Sequence, residues 1–142
     1  MASAYNITPE NFKERWKMVF SYRRSNGKDT ESFQNSMKSI FGYIDNDQEK
    51  VHRMVKNIMS PTLGRSPGDS ERLLLFGSVD HCIKKIDTLY DVGVERIHFW
   101  PMYDFNEQIE IFNRDCIKLL VRIYQCRRLP NLICLLELVI LD

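Results

Sequence analysis

The chain has 142 residues, and its 20 basic and 19 acidic side chains leave a formal net charge of +1. This near balance gives no electrostatic reason to expect a nucleic acid or an anionic membrane as a partner. The hydrophobic fraction of 44% suffices for one packed domain, or for a piece of a larger one. The longest apolar run, residues 132–141, is far shorter than the ~20 residues that span a bilayer. We therefore expect no membrane partner.

The first half of the sequence predicts a helix, a strand and a second helix. Residues 8–10 (TPE) form a helix start, because threonine caps, proline fits the first turn and glutamate suits the positive end of the helix dipole. Residues 26–27 (NG) end that helix. Residues 37–44 (MKSIFGYI) favour a strand, since aromatic and branched side chains suit pleated structure. A helix over about residues 47–59 follows, and Pro61 is expected to terminate it.

The second half repeats the alternation after a long loop. Residues 61–70 (PTLGRSPGDS) are rich in proline, glycine and serine and are predicted to form this loop. A third helix is expected within residues 78–93, with a serine cap at its start and a glycine at its end. Residues 96–100 predict a buried strand that Pro101 ends, because proline cannot donate to the ladder. A fourth helix begins near Asn106.

The cysteine and histidine patterns bear on compartment and metal binding. No CxxC pair and no targeting segment is seen, so the sequence predicts free thiols in a reducing compartment and a cytoplasmic location. The three histidines have no useful spacing to cysteines or acidic residues, and no metal site is predicted. The four cysteines are Cys82, Cys116, Cys126 and Cys134.

Strands that alternate with helices predict an α/β fold with a parallel sheet. Such sheets are covered on both faces or closed into a barrel. The sequence offers two clear strands, and two strands cannot close a barrel. The number of strands, rather than chain length, therefore limits what this chain can form by itself.

Several segments in order resemble the luciferase-like monooxygenase superfamily, whose members are flavin- or deazaflavin-dependent barrel enzymes. Residues 2–19 (ASAYNITPENFKERWKMV) are similar to a strand end and the helix after it, with Tyr5-Asn6 as the aromatic-asparagine pair. Residues 42–55 (GYIDNDQEKVHRMV) resemble a late strand with its acidic turn. Residues 76–101 (FGSVDHCIKKIDTLYDVGVERIHFWP) resemble the Gly-Ser helix start and the last barrel strand, and residues 106–117 resemble the final helix.

The resemblance implies a partial (β/α)8 TIM barrel. The chain would supply the last two to three strands with their helices: the end of the sixth strand and all of the seventh and eighth. Residues 1–125 would form this C-terminal part of a barrel domain. Residues 126–142 are an apolar tail unlike the polar end usual in the family, and we interpret them as a non-family extension.

The function that the resemblance implies is that of a flavin- or deazaflavin-dependent oxidoreductase, a monooxygenase or dehydrogenase of small organic substrates. The cofactor would be FMN or a deazaflavin. Because catalysis needs residues from several strand ends, we expect the isolated chain to lack turnover. The alternative is a non-catalytic fragment whose unpaired strand edges pair with another chain or with a second copy, giving a homo-oligomer.

Candidate site residues come from strand ends and from the loop. Gly77-Ser78 opens a helix, where backbone donors suit a phosphate. Arg65, on a Gly/Ser/Pro loop, suits a cofactor phosphate or a substrate carboxylate, and Trp100, at the end of the last strand, suits a flat flavin ring. Each of these also fits a purely structural role, as a helix cap, a solvated side chain or a packing residue. No catalytic residue can be named, and the residues expected at the substrate pocket are Tyr5, Asn6, His98 and Met102.

Overall fold

The structure, a computed structural model, describes residues 2–3 and 7–120. Within them the chain forms a mixed α/β fold with one four-stranded parallel sheet and helices packed on it. The predicted α/β class is thus confirmed. The substrate-pocket residues Tyr5 and Asn6 and the predicted tail, residues 126–142, lie outside the described residues.

The helices and strands follow one another closely along the chain. Two of the helices continue into π-helical segments, which span Val55–Met59 and Phe112–Ile117. In chain order the other elements are β1 (Ala2–Ser3), α1 (Pro9–Ser25), β2 (Met37–Ile44), α2 (Gln48–Met54), α3 (Ser60–Leu63), α4 (Pro67–Leu73), β3 (Leu75–Gly77), α5 (Val79–Asp91), β4 (Ile97–Pro101) and α6 (Phe105–Ile111).

Strand β2 is the centre of the sheet, and every pairing with it is parallel. Met37 pairs with both β1 and β4, and Gly42 pairs with both β3 and β4. Since a strand has two edges, β4 occupies one edge of β2, while β1 and β3 share the other. A Cβ atom at Gly42 would collide with the Phe99 ring and the carbonyl oxygen of Leu75, so only glycine lets both neighbours approach here.

The order of the strands in space partly follows their order in the chain. Strands β1, β2 and β4 lie side by side in this order across the sheet, with β2 in the middle. Strand β3 belongs to the long crossover between β2 and β4, and it pairs with β2 on the same edge as β1. All strands run parallel, so their carboxyl ends lie together at one end of the sheet.

The two faces of the sheet are covered by different helices. On one face, Ile40, Ile97 and Phe99 belong to the main core cluster with residues of α5 and of the second π-helical segment. The rings of Phe99 and Phe112 stack there, with centroids 4.2 Å apart. On the other face, Tyr43 packs in a second cluster formed by α2, the first π-helical segment and β3. The alternation of strand side chains explains this division.

Pro61 does not end the second helix, contrary to the sequence prediction. It lies within α3, which continues the first π-helical segment to Leu63, and Gly64 ends the helix with φ +62. A π-helical turn shifts the hydrogen-bond pattern just before Pro61, so the missing proline N–H is tolerated near the start of the next α-helical turn.

The predicted loop over residues 61–70 is also wrong, because most of it is helical. Only residues 64–66 separate α3 from α4. Ser66 begins α4 as its cap, with the backbone N–H of Asp69 donating to its Oγ at 3.1 Å, and Pro67 takes the first helical position. The proline and serine that suggested a loop are therefore helix-start residues.

Two short strands complete the sheet. Strand β1, of two residues, lies where the resemblance implies the end of a strand, whereas β3, of three residues, was not predicted. The strand Met37–Ile44 is confirmed at both ends, and the predicted strand over residues 96–100 is found one residue later, at Ile97–Pro101.

Two of the four cysteines lie among the described residues. Cys82 and Cys116 are buried free thiols, as expected. Burial raises the pKa of each thiol to about 12, which keeps both protonated at neutral pH. In the part of the chain that the structure covers, no helix has the length and apolar character needed to cross a bilayer.

Candidate functional site

The end of β3 leads directly into α5 through Gly77 and Ser78. The Ser78 side chain caps α5 by accepting a hydrogen bond from the backbone N–H of His81 at 3.3 Å, as the sequence predicts. Gly77 has φ +130, and a Cβ atom there would lie 3.2 Å from the His81 ring. Both the backbone conformation and the close ring therefore favour glycine at this position.

A polar cleft of about 830 Å³ opens beside this helix start. It lies between α2, α4 and the first turns of α5, at the carboxyl end of the sheet. Gly77 and Ser78 both line it, so the structure brings these two predicted residues into one cavity. The ionisable residues that line it are His52, Glu71, Arg72, His81 and Lys85.

Lys85 is a half-buried cation in the wall of this cleft. Its ammonium group donates hydrogen bonds to the backbone carbonyl oxygens of Glu71 and Leu74, at the end of α4. Burial is the main cause that lowers the pKa of Lys85 below its ordinary value. Among residues 7–120 no carboxylate lies within ion-pair distance of it. This ammonium therefore keeps one proton with no acceptor identified in the described residues.

The remaining charges in the cleft favour an anion. At neutral pH the lining carries two cations, Arg72 and Lys85, against one carboxylate, Glu71. The Glu71 carboxylate lies 3.5 Å from the Nδ1 atom of His52. Burial, and then the nearby charge of Lys85, lowers the pKa of His81. Protonation of His81 on acidification would make the cleft more positive.

The other predicted cofactor residues, Arg65 and Trp100, lie elsewhere. Arg65 is half-buried in the turn between α3 and α4, and it lines a separate cavity with Thr8 and Asn11 at the start of α1. Trp100 is 42% exposed on β4, and its ring centroid lies 5.9 Å from that of Phe41.

The predicted substrate residues that the structure describes, His98 and Met102, lie on the β4 side of the sheet. His98 is half-buried, and alternation along β4 places it on the same face as Trp100. Met102 packs against the cluster around Tyr43. Trp100, His98 and Met102 do not line the polar cleft. Apart from Arg65, the predicted site residues that the structure describes thus form two groups, one at the end of β3 and one on β4 and just after it.

Both groups lie at the carboxyl end of the sheet. Strand β2 separates β3 from β4, so the two strand ends are two strand spacings, about 10 Å, apart. Between them a polar cluster surrounds the end of β2. The Tyr43 hydroxyl lies 3.4 Å from the Asp104 carboxylate, and the Lys50 ammonium pairs with Asp45 at 2.7 Å. Asp104 has φ +49, the left-handed region that is uncommon for a residue other than glycine.

One pattern in the sequence indicates the cleft, but the site prediction made from the sequence did not use it. Ser78, His81 and Lys85 follow one another at spacings of three and four residues, which places them on one side of α5. His52 and Glu71 could not have been added in this way, because they reach the cleft from other helices.

Comparison with known proteins adds no assignment. No protein-family model matches the chain, and a search of curated proteins gives no match. Across residues 7–120 the structure holds no group of three or more histidine, cysteine or acidic residues that could bind a metal ion.

Proposed function

We propose that the chain is the closing part of a (β/α)8 barrel, in a flavin- or deazaflavin-dependent oxidoreductase of the luciferase-like kind. The order of the strands carries this proposal: β1, β2 and β4 are parallel and lie side by side in chain order. Successive parallel strands of a barrel have this arrangement, and their carboxyl ends form the catalytic face. Strand β3 is then an addition within the crossover from β2 to β4.

The sheet is open, which agrees with a part rather than a whole barrel. Within the described ranges, β2 has strand neighbours on both edges, while the outer edges of β1, β3 and β4 have none. In the proposed enzyme, the earlier barrel strands would come from polypeptide not represented in these residues.

The cleft at α5 suits the phosphate of FMN or of a deazaflavin. The start of α5, capped by Ser78, lies there beside the cations Arg72 and Lys85. Both the helix start and the cations favour phosphate binding. Trp100, about 10 Å away along the same edge, offers an exposed aromatic surface to the ring system. The bound flavin would supply the hydride or oxygen chemistry.

The chain by itself provides only part of a substrate pocket. His98 and Met102 would contribute from β4, and Tyr5 and Asn6 from the end of β1, for a small organic substrate. We expect the purified 142-residue chain to bind flavin without turnover, because groups from several missing strand ends are required. Flavin-dependent substrate oxidation by the pure chain would overturn this expectation.

A titration with paired flavins tests the phosphate assignment. FMN and riboflavin share the ring system, and only FMN carries the phosphate. We expect FMN to bind about tenfold tighter or more, since charge-assisted hydrogen bonds contribute roughly this much. His81→Leu should reduce the difference, while Lys84→Leu, which removes an exposed charge on the same helix outside the cleft lining, should preserve it. Equal affinity of both flavins for the wild-type chain would refute the assignment.

Association through strand edges is the second candidate function. Its support is the open sheet together with a run of exposed aromatic side chains at the end of β4: Trp100, Tyr103 and Phe105. Exposed apolar patches and unpaired edges commonly mark interaction sites. Size-exclusion chromatography with light scattering separates the two candidates. A flavin-binding monomer favours the oxidoreductase, whereas a flavin-free oligomer favours association.

A further inference from the structure

Another cavity, of about 150 Å³, lies at the edge of β2 that β1 and β3 share. Strand β1 pairs with Met37 and Lys38, and β3 pairs with residues 42–44. Ile40, between these two pairings, lines the cavity. Its wall is mostly apolar, with contributions from Ile7, Met37, Ile40, Leu75 and Leu89.

Two cations, Arg72 and Lys85, stand at this apolar cavity, and none of the described residues that line it is acidic. Arg72 is largely exposed, and its contact with Asp69 is long, at 3.5 Å. Glu10 is solvent-exposed at the start of α1, and hydrogen bonds from the backbone and from Thr8 lower its pKa more than the charge of Arg72 does. Exposed pairs of this kind contribute little, so Arg72 can turn to another anion at small cost.

Lys85 provides the second cation, and it is the more informative one. Its ammonium group is half-buried and bonded to two neutral carbonyl oxygens, without an ion-paired carboxylate among the described residues. Buried charges in proteins are usually paired with an opposite charge. An apolar cavity beside this ammonium and an adaptable arginine suits a ligand with an apolar body and one negative end.

We propose that this cavity binds a small monocarboxylate of about six carbon atoms, with an apolar body. The size follows from the volume, because an apolar cavity of roughly 150 Å³ accommodates a molecule such as benzene. The carboxylate would meet Arg72 and the remaining proton of Lys85, while the hydrocarbon part would contact Ile40, Leu75 and Leu89. Flavin binding concerns the polar cleft, which Arg72 and Lys85 also line, whereas the apolar wall belongs to this cavity alone.

The test uses three matched probes on the full chain: hexanoate, hexan-1-ol and acetate. Hexanol lacks the charge and acetate lacks the apolar body. Titrations followed by calorimetry and by methyl signals of the lining residues should give hexanoate at least about tenfold tighter binding than either control. Hexanol binding as tight as hexanoate, or no binding of hexanoate at all, would overturn the proposal.

Two variants locate the binding site. Arg72→Gln should weaken hexanoate binding about tenfold and leave the weak binding of hexanol unchanged. Thr88→Phe, a change at an exposed residue that lines this cavity alone, should fill the space and abolish hexanoate binding. Unchanged hexanoate affinity in either variant would place the ligand elsewhere and so refute the site.

Thr88 and His81 also separate this proposal from the flavin proposal, because each lines only one of the two cavities. Thr88→Phe should spare the preference for FMN over riboflavin, and His81→Leu should spare hexanoate binding. Thermal melts of both variants check that they fold. Loss of both activities in a folded single variant would mean that the two ligands share one site and would contradict the proposal.

Discussion

At the carboxyl end of the sheet, the region beside β4 is closed, whereas the region beside β3 is open. Beside β4, helix α6 and the π-helical segment after it return over the sheet and seal it: Gln108 is 1% exposed and Phe112 is fully buried. Beside β3, helix α5 starts at once and leaves the polar cleft open. The carboxyl end of the sheet therefore carries both a rigid packing region and an accessible cleft. Substitutions on the closed side should cost stability, and those on the open side should mainly change binding.

Removal of a large side chain on the closed side should have the largest effect. Phe112→Ala deletes the ring that stacks on Phe99 with centroids 4.2 Å apart. Cavity formation at such a site costs roughly 3–5 kcal/mol of the free energy of unfolding. Urea denaturation measures it, with Trp100→Ala as the control on the exposed side of β4, where a loss of under about 1 kcal/mol is expected. Equal losses in the two variants would mean that α6 does not seal this side.

Gln108 offers a polar test of the same closure. Its side-chain amide accepts from the backbone N–H of Ile44 at 2.6 Å and donates to the Ile44 carbonyl at 3.0 Å, just beyond the last pairing of β2 with β4. Gln108→Leu keeps the volume but leaves both backbone groups buried without partners, at a cost of roughly 1–3 kcal/mol. Denaturant unfolding measures the loss, and Glu107→Leu, on the exposed side of α6, should be nearly neutral. A neutral Gln108→Leu would contradict the closure.

On the open side, Ser78 separates stability from binding. Ser78→Ala removes the cap of α5 and should cost about 1 kcal/mol of unfolding free energy. Ser78→Asp retains a capping oxygen, so stability should be close to wild type, while the added negative charge should weaken FMN binding more than riboflavin binding. Thermal melts and flavin titrations of the two variants provide the measurement. Unchanged FMN affinity in Ser78→Asp would place the phosphate outside the cleft.

The smallest effect is expected at the ion pair of Lys50 with Asp45, which lies between the regions beside β3 and β4. Burial raises the pKa of Asp45, but the hydrogen bond from Lys50 and those from the backbone outweigh it, and the pKa falls below its usual value. The stabilisation is therefore present above the ordinary aspartate pKa and is lost as pH falls through the lowered value. Asp45→Asn should cost about 1 kcal/mol or less at pH 7. The difference from wild type should shrink as the pH falls through the lowered pKa of Asp45, and a loss that stays the same in acid would exclude the ion pair as its source.

Elements with a local signal were predictable from the sequence. Strand β2 has eight residues of apolar and aromatic character between turn residues, and its bounds were found as predicted. The cap at Ser78 and the end of α1 at Asn26 were likewise set by neighbouring residues. In these cases a few adjacent side chains determine the backbone, so a single sequence suffices.

The failures have a different origin. Strand β3 has three residues, too few for a pattern, and it exists because β2 offers it an edge. The helix through Pro61 depends on a π-helical turn that no residue spacing announces. The polar cleft combines His52, Glu71 and Lys85 from three helices, and their proximity follows from tertiary packing alone. Sites assembled across elements were therefore less predictable than the elements themselves.

The proposed flavin site places the cofactor phosphate in the cleft at α5. The most direct measurement is NMR of the imidazole signals of His52 and His81 during parallel titrations with FMN and riboflavin. We expect FMN to shift both signals and riboflavin to leave them in place. Signals that stay unmoved with FMN, or that respond alike to both flavins, would contradict the claim.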